Sequence, residues 1–91
     1  MNLDPNIAKA IVDNLKDVIN YDINLFNIEG EIIASTNRAR VGGFHYGSKI
    51  AADTKRILEV TYDEEFRGSK KGLNIPIIFN DTVAAVIGIT G

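Results

Sequence analysis

The chain has no cysteine and only one histidine. Disulfides and thiolate metal sites are therefore excluded, and a histidine-based centre would lack a second imidazole. No carboxylate pair has ligand-like spacing, so neither a metal nor a cofactor is expected. No apolar run approaches the roughly 20 residues that a spanning helix needs, so no membrane partner is expected. The opening Met1-Asn2-Leu3-Asp4-Pro5 has neither the basic start nor the apolar centre of a secretory signal. A cytoplasmic location is the default. The formal charge is only −2, which gives no global pull toward nucleic acid. Gly-x-Ser-x-Gly, a Walker loop and a cysteine nucleophile are all missing, so the expectation is that this is not an enzyme. An acid–base pair built on His45 is the remaining catalytic alternative.

What is present suits one small globular domain. The chain has 91 residues, 45% hydrophobic and 24% charged, which leaves room for a single core. Asp4-Pro5 is a helix start: aspartate caps free N–H groups and proline suits the first helical position. Ile7, Ile11, Leu15, Val18 and Ile19 follow at spacings of three and four, which predicts a helix over 5–19 with that stripe inward. Residues 21–28 and 31–35 read as a strand pair joined at Glu29-Gly30. Residues 48–55 predict a short helix and 56–62 a third strand. Residues 63–71 are polar and read as an exposed loop. Residues 73–79 and 82–89 are two more strands joined by Asn80-Asp81.

This order predicts an α+β fold with a central antiparallel sheet of about five strands and the first helix packed on one face. Nothing in the sequence is assigned to the other face. Since Thr90-Gly91 directly follows a strand, that face is left for a homodimer partner or for further chain to cover.

The segment Ser35-Thr36-Asn37-Arg38-Ala39-Arg40-Val41-Gly42-Gly43-Phe44-His45-Tyr46-Gly47 concentrates donors. Arginine presents a planar fork of N–H groups that matches a carboxylate, and glycine lets the backbone approach an anion. Together they suggest a small anion-binding site on a loop held by the sheet. The ordered pattern Ile23-Asn24-Leu25, Gly30-Glu31-Ile32-Ile33-Ala34-Ser35, Arg40-Val41-Gly42, His45-x-Gly47, Gly72-Leu73-Asn74-Ile75-Pro76-Ile77 and Val86-Ile87-Gly88-Ile89-Thr90-Gly91 resembles the sugar-diacid recognition domain. That domain is the N-terminal sensor of bacterial carbohydrate-diacid transcriptional regulators. The resemblance covers nearly the whole chain. It implies a PAS-like sensor fold and a small hydroxy-carboxylate ligand of the glycerate, glucarate or galactarate type. It also implies a further helix and a DNA-binding domain that residues 1–91 do not include. The chain departs from the family at Asn37, where aspartate is usual, and at His45-Tyr46-Gly47-Ser48 in place of His-Glu-Gly-Ala. Both departures leave the pocket less negative.

The candidate ligand-binding residues are Arg40, His45, Asn74, Arg38, Ser35, Gly47 and Gly72. Arg40 either clamps a carboxylate or pairs on the surface with Glu29, Glu31 or Asp63; the Arg-Val-Gly match favours the clamp. Arg38, two residues away, is expected to point elsewhere. His45 either donates to the ligand, with a charge that changes near neutral pH, or ties its loop to the backbone. Asn74 reads a ligand hydroxyl and carboxylate, or locks a turn. Ser35 bonds a hydroxyl or simply ends its strand. Gly47 and Gly72, with Gly42 and Gly43, present N–H groups to an anion or serve turns. Lys70 and Lys71 steer anions or are merely solvated.

Overall fold

The computed structural model describes residues 4–90; Met1, Asn2, Leu3 and Gly91, the last residue of the final motif, lie outside the described residues. Helix α1 runs Pro5–Lys16, and strands β1 (Asp22–Phe26) and β2 (Ile32–Ser35) follow. A single 3₁₀ turn at Arg38–Arg40 leads to helix α2 (Tyr46–Thr54). Strands β3 (Leu58–Val60), β4 (Gly72–Phe79) and β5 (Thr82–Thr90) complete the chain. The sheet order is β2-β1-β5-β4-β3, and every neighbouring pair is antiparallel.

Helix α1 starts as its sequence dictates. Asp4 caps it, Oδ1 accepting from the Asn6 N–H at 2.7 Å, and Pro5 takes the first turn. It ends three residues before the predicted Ile19, with Asp17 as cap. The inward stripe is also rotated from the expected one. Ala8 and Val12 are buried, with Ile11, Leu15 and Ile19 packed beside them, whereas Ile7 and Val18 face water. Ala8, with no exposed surface, takes the inward position that the periodicity gave to Ile7.

The two faces of the sheet have separate cores. Ile23, Leu25, Ala34 and Ala85 pack under α1, and Phe26, Ile32, Val83 and Val86 pack with Ala51 and Ala52 of α2. Helix α2 therefore covers the face that the sequence left unassigned. Its buried residues are Gly47, Ser48, Ala51 and Ala52, which are too small to register as an apolar stripe. The register shift at Ile77/Ile78 leaves Ala84 unpaired and brings Val83 to the α2 side. Helix α1 packs chiefly on β1 and β2, reaching Ala85 of β5. The part of its face on β4 and β5, carrying Leu73, Ile75, Ile77, Ile87 and Ile89, stays partly open.

Candidate functional site

The 3₁₀ turn after β2 places Arg40. Asn37 caps it, its Oδ1 accepting from the Ala39 N–H at 3.2 Å. The Asn37 N–H is itself anchored on Ser35 Oγ at 3.0 Å, so the turn is fixed to the end of β2. Arg40 is half-buried at the rim of a hollow of about 640 Å³, lined also by Asp22, Asn37, Thr61, Tyr62, Asp63, Lys70, Lys71 and Thr90. Three cations thus face two carboxylates there. One of these, Asp63, already accepts from the Lys71 N–H at 2.8 Å. Among the described residues the ion pairs are Lys9–Asp13 and Lys49–Asp53, and Arg40 belongs to neither. The surface pairing with Glu29, Glu31 or Asp63 is not formed. Arg38 is exposed and lines a different groove, between α1 and β2, with Pro5, Lys9 and Val41.

His45 is 1% exposed and caps the N-terminus of α2. Its Nε2 lies 3.1 Å from the Lys70 N–H, and its Nδ1 lies 3.4 Å from Ser69 Oγ and 3.2 Å from the Ser48 N–H. A neutral imidazole has one bare nitrogen. We assign that nitrogen as Nε2, because the Ser48 N–H also reaches the His45 carbonyl at 3.2 Å. Nδ1 then carries the hydrogen, toward Ser69 Oγ, which also accepts from the Gly47 N–H at 2.8 Å. The ring is held neutral: burial, and secondarily the Arg40 guanidinium, push its pKa down to about 4. That value argues against a change of charge near neutral pH. His45 pins Ser69 and Lys70 to the start of α2 and so positions Lys70 at the hollow.

The other expected residues sit nearby, but not at the rim. Ser35 is 9% exposed and donates to Asn24 Oδ1 at 2.6 Å. Asn74 is 2% exposed and lies inside β4, not in a turn; its Nδ2 donates to the Leu58 carbonyl at 3.4 Å. Gly47 is buried in the first turn of α2, where a Cβ would meet Ser69 Oγ at 3.0 Å and Val60 at 3.1 Å. Its N–H is committed to Ser69, so it brings helix and sheet together rather than facing the hollow. Gly72, with φ of +149°, is a ladder residue between Val60 and Thr90.

Two features are not fixed by sequence reasoning. The sequence leaves Lys70 and Lys71 between steering anions and mere solvation; a buried Ser69 before them and Asp63 behind them place both at the hollow. Asn24, given no role of its own in the Ile23-Asn24-Leu25 pattern, is wholly buried. Among the described residues no group of three histidine, cysteine or acidic side chains could hold a metal ion. No helix among them is long and apolar enough to cross a membrane.

This sheet, with a helix on each face, is a known architecture. The chain superimposes on the GAF domain of an Acinetobacter phosphoenolpyruvate-protein phosphotransferase with a TM-score of 0.70, at 13% identity, over 93% of this chain and 64% of that one. A type II free methionine-R-sulfoxide reductase from Thermoplasma acidophilum gives a TM-score of 0.62, at 13% identity, over 93% of this chain and 72% of that one. The fold is thus α+β of the GAF kind, a relative of the PAS-like fold that the resemblance implied. The chain belongs to the family described as "Putative sugar diacid recognition", which matches residues 3–91. It is 29% identical over 92 residues to the Carbohydrate diacid regulator of Escherichia coli (strain K12), covering 99% of this chain and 24% of that protein. It is 40% identical over 93 residues to the uncharacterized protein YsfB of Bacillus subtilis (strain 168), covering 100% of this chain and 25% of that protein. The chain therefore spans about a quarter of the length of these curated relatives.

Proposed function

We propose that residues 1–91 form the ligand-sensing domain of a bacterial transcriptional regulator, and that a small hydroxy-carboxylate of the glycerate, glucarate or galactarate type occupies the Arg40 hollow. The observation that carries this reading is a half-buried arginine with no carboxylate partner among the described residues, lining one hollow with Lys70 and Lys71. An arginine so placed offers two parallel N–H donors to an incoming carboxylate, while the two lysines neutralise the remaining charge. Family membership and the regulator among the relatives favour a sensing role over turnover. The chemistry agrees: the one histidine is buried and tied to backbone, which argues against an acid–base pair built on His45. No cofactor enters this reading. DNA binding belongs to another part of such a regulator, and the cytoplasm is where it would act.

A carboxylate panel read by thermal shift tests the assignment. A ligand at ten times its Kd stabilises by about 1.4 kcal/mol. In a domain of this size that raises the melting temperature by several degrees. Glucarate, galactarate and glycerate should do so at millimolar concentration, and acetate should not. A panel without any shift would refute the ligand class.

The open aliphatic strip on β4 and β5 supports a second element of the proposal, a homodimer formed through the α1 face. Leu73 there is 41% exposed, and Tyr21 beside it 59%. Concentration-dependent sedimentation tests this, and a monomer at all concentrations would reject it.

A further inference from the structure

The last cross-strand row of the sheet ends at the Arg40 hollow. Asp22 of β1 pairs with Thr90 of β5, and Thr90 pairs in turn with Gly72 of β4. Side chains of partners in antiparallel strands share a face, and alternate residues along each strand return to it. Asp22 and Thr90 therefore lie on the face of Phe26 and Val86, which pack with α2. One row nearer α2 that face is already filled, since a Cβ on Gly88 would meet the Phe26 ring at 2.6 Å. At the last row it opens. Asp22 and Thr90 both line the hollow that Arg40, Lys70 and Lys71 line.

The two carboxylates of the hollow are not alike. Asp63 accepts from the Lys71 N–H at 2.8 Å, which ties it to its own loop. Asp22 is oriented from β2: Thr36 Oγ1 accepts from the Ile23 N–H at 3.0 Å and donates to Asp22 Oδ1 at 3.2 Å. An ionised carboxylate accepts about four hydrogen bonds, so most of the acceptor capacity of Asp22 remains. It takes only donors. A ligand carboxylate is repelled there and belongs with the three cations. Thr90 is half-buried, and its hydroxyl can donate as well as accept.

The geometry points to Asp22 and Thr90 as the pair that reads a hydroxyl of the ligand whose carboxylate Arg40 holds, an inference that rests on the ligand site proposed above. Directly opposed side chains have Cβ atoms about 5 Å apart, so one oxygen lying over them reaches both with hydrogen bonds of about 2.8 Å. The ligand hydroxyl donates to Asp22 and accepts from Thr90. An ammonium group is a poorer occupant. Three cations against two carboxylates favour a ligand of net negative charge, and an amino acid zwitterion has none. An acid without the hydroxyl displaces water from Asp22 and Thr90 and replaces none of its hydrogen bonds, which is how a polar site rejects a deoxy analogue.

Calorimetric titration of the 91-residue protein with glucarate and with adipate, a diacid of equal length without hydroxyls, tests the inference. Both acids carry two negative charges, so a change in the charge of the hollow acts on both affinities alike and cancels in their ratio. The unaltered protein should favour glucarate by about tenfold or more. Thr90→Val keeps the side-chain shape, removes only the hydroxyl, and should cut that preference about threefold with adipate unchanged. Asp22→Ala should abolish the preference while adipate binds no more weakly than before. Where alanine disturbs the start of β1, Asp22→Asn, a weaker acceptor, reads the same ratio with a smaller fall. A preference that survives in either variant, or equal binding of the two acids by the unaltered protein, overturns the pair and leaves the Arg40 site standing. An unaltered protein that binds neither acid overturns both.

Discussion

The Lys70 backbone N–H points at Nε2 of His45, 3.1 Å away, so the chain's one histidine serves as an acceptor for a loop twenty-five residues further on. A protonated ring would set N–H against N–H at that contact. The bond therefore works with burial and with Arg40 to keep the imidazole neutral.

That arrangement predicts acid sensitivity. The folded pKa, about 4, lies below the ordinary histidine value of 6.5, so between those pH values the unfolded chain binds a proton that the folded chain refuses. Stability should be unaffected by His45 above pH 6.5 and should fall as pH drops toward 4, by about 3 kcal/mol in all. Urea unfolding at pH 7 and pH 4.5 checks this. His45→Gln, whose amide can still accept from Lys70, should lose much of the slope. An equal slope in both proteins would show that the carboxylates alone cause it.

Arg40 and Arg38 should separate cleanly. Both stand on one 3₁₀ turn, yet they line different hollows. Arg40→Ala should abolish the glucarate-induced thermal shift while changing the ligand-free melting temperature little, since no ion pair is lost. Arg38→Ala should leave the shift intact. Equal losses in the two variants would point to general charge rather than to a clamp.

Much of the frame was legible because local chemistry and tertiary structure agree. Asp4-Pro5 starts a helix, Glu29-Gly30 and Asn80-Asp81 turn hairpins, and the order of elements gives the α+β class. The second layer was not legible. Helix α2 packs through Gly47, Ser48, Ala51 and Ala52, and small residues give a weak periodic signal even when they are wholly buried. The site was legible in part. Arg40 stood out by residue type, whereas the placement of Lys70 depends on contacts made by Ser69 and His45 that spacing does not encode. Asn24 was hidden for the same reason: only a sheet covered on both faces buries it, and α2 is the cover.

Gly72 should tolerate no side chain. Its φ is +149°, and a Cβ there would overlap the Ile89 carbonyl oxygen. The overlap is with backbone in the central strand, which cannot swing aside as a side chain could. Gly72→Ala should cost roughly 3 kcal/mol, seen as a lower urea midpoint. Gly42, also at positive φ but with open space around it, should lose only about 1 kcal/mol on the same change.

The β4–β5 turn leaves room for improvement. Asn80 and Asp81 both adopt positive φ, 51° and 62°, as a two-residue turn matched to strand twist requires. Asparagine tolerates that region well, but the second position of such turns favours glycine. The Asp81 side chain makes none of the hydrogen bonds described for this turn; it is the Asp81 carbonyl that Lys55 Nζ contacts, at 2.6 Å, and any residue supplies a carbonyl. Asp81→Gly should therefore relieve backbone strain at little expense in contacts, and raise stability by about 0.5–1 kcal/mol after the entropy of the freer unfolded chain is set against it. Thermal unfolding of the ligand-free protein measures the change. A fall in melting temperature would mean that the aspartate side chain makes a contribution the turn geometry does not explain.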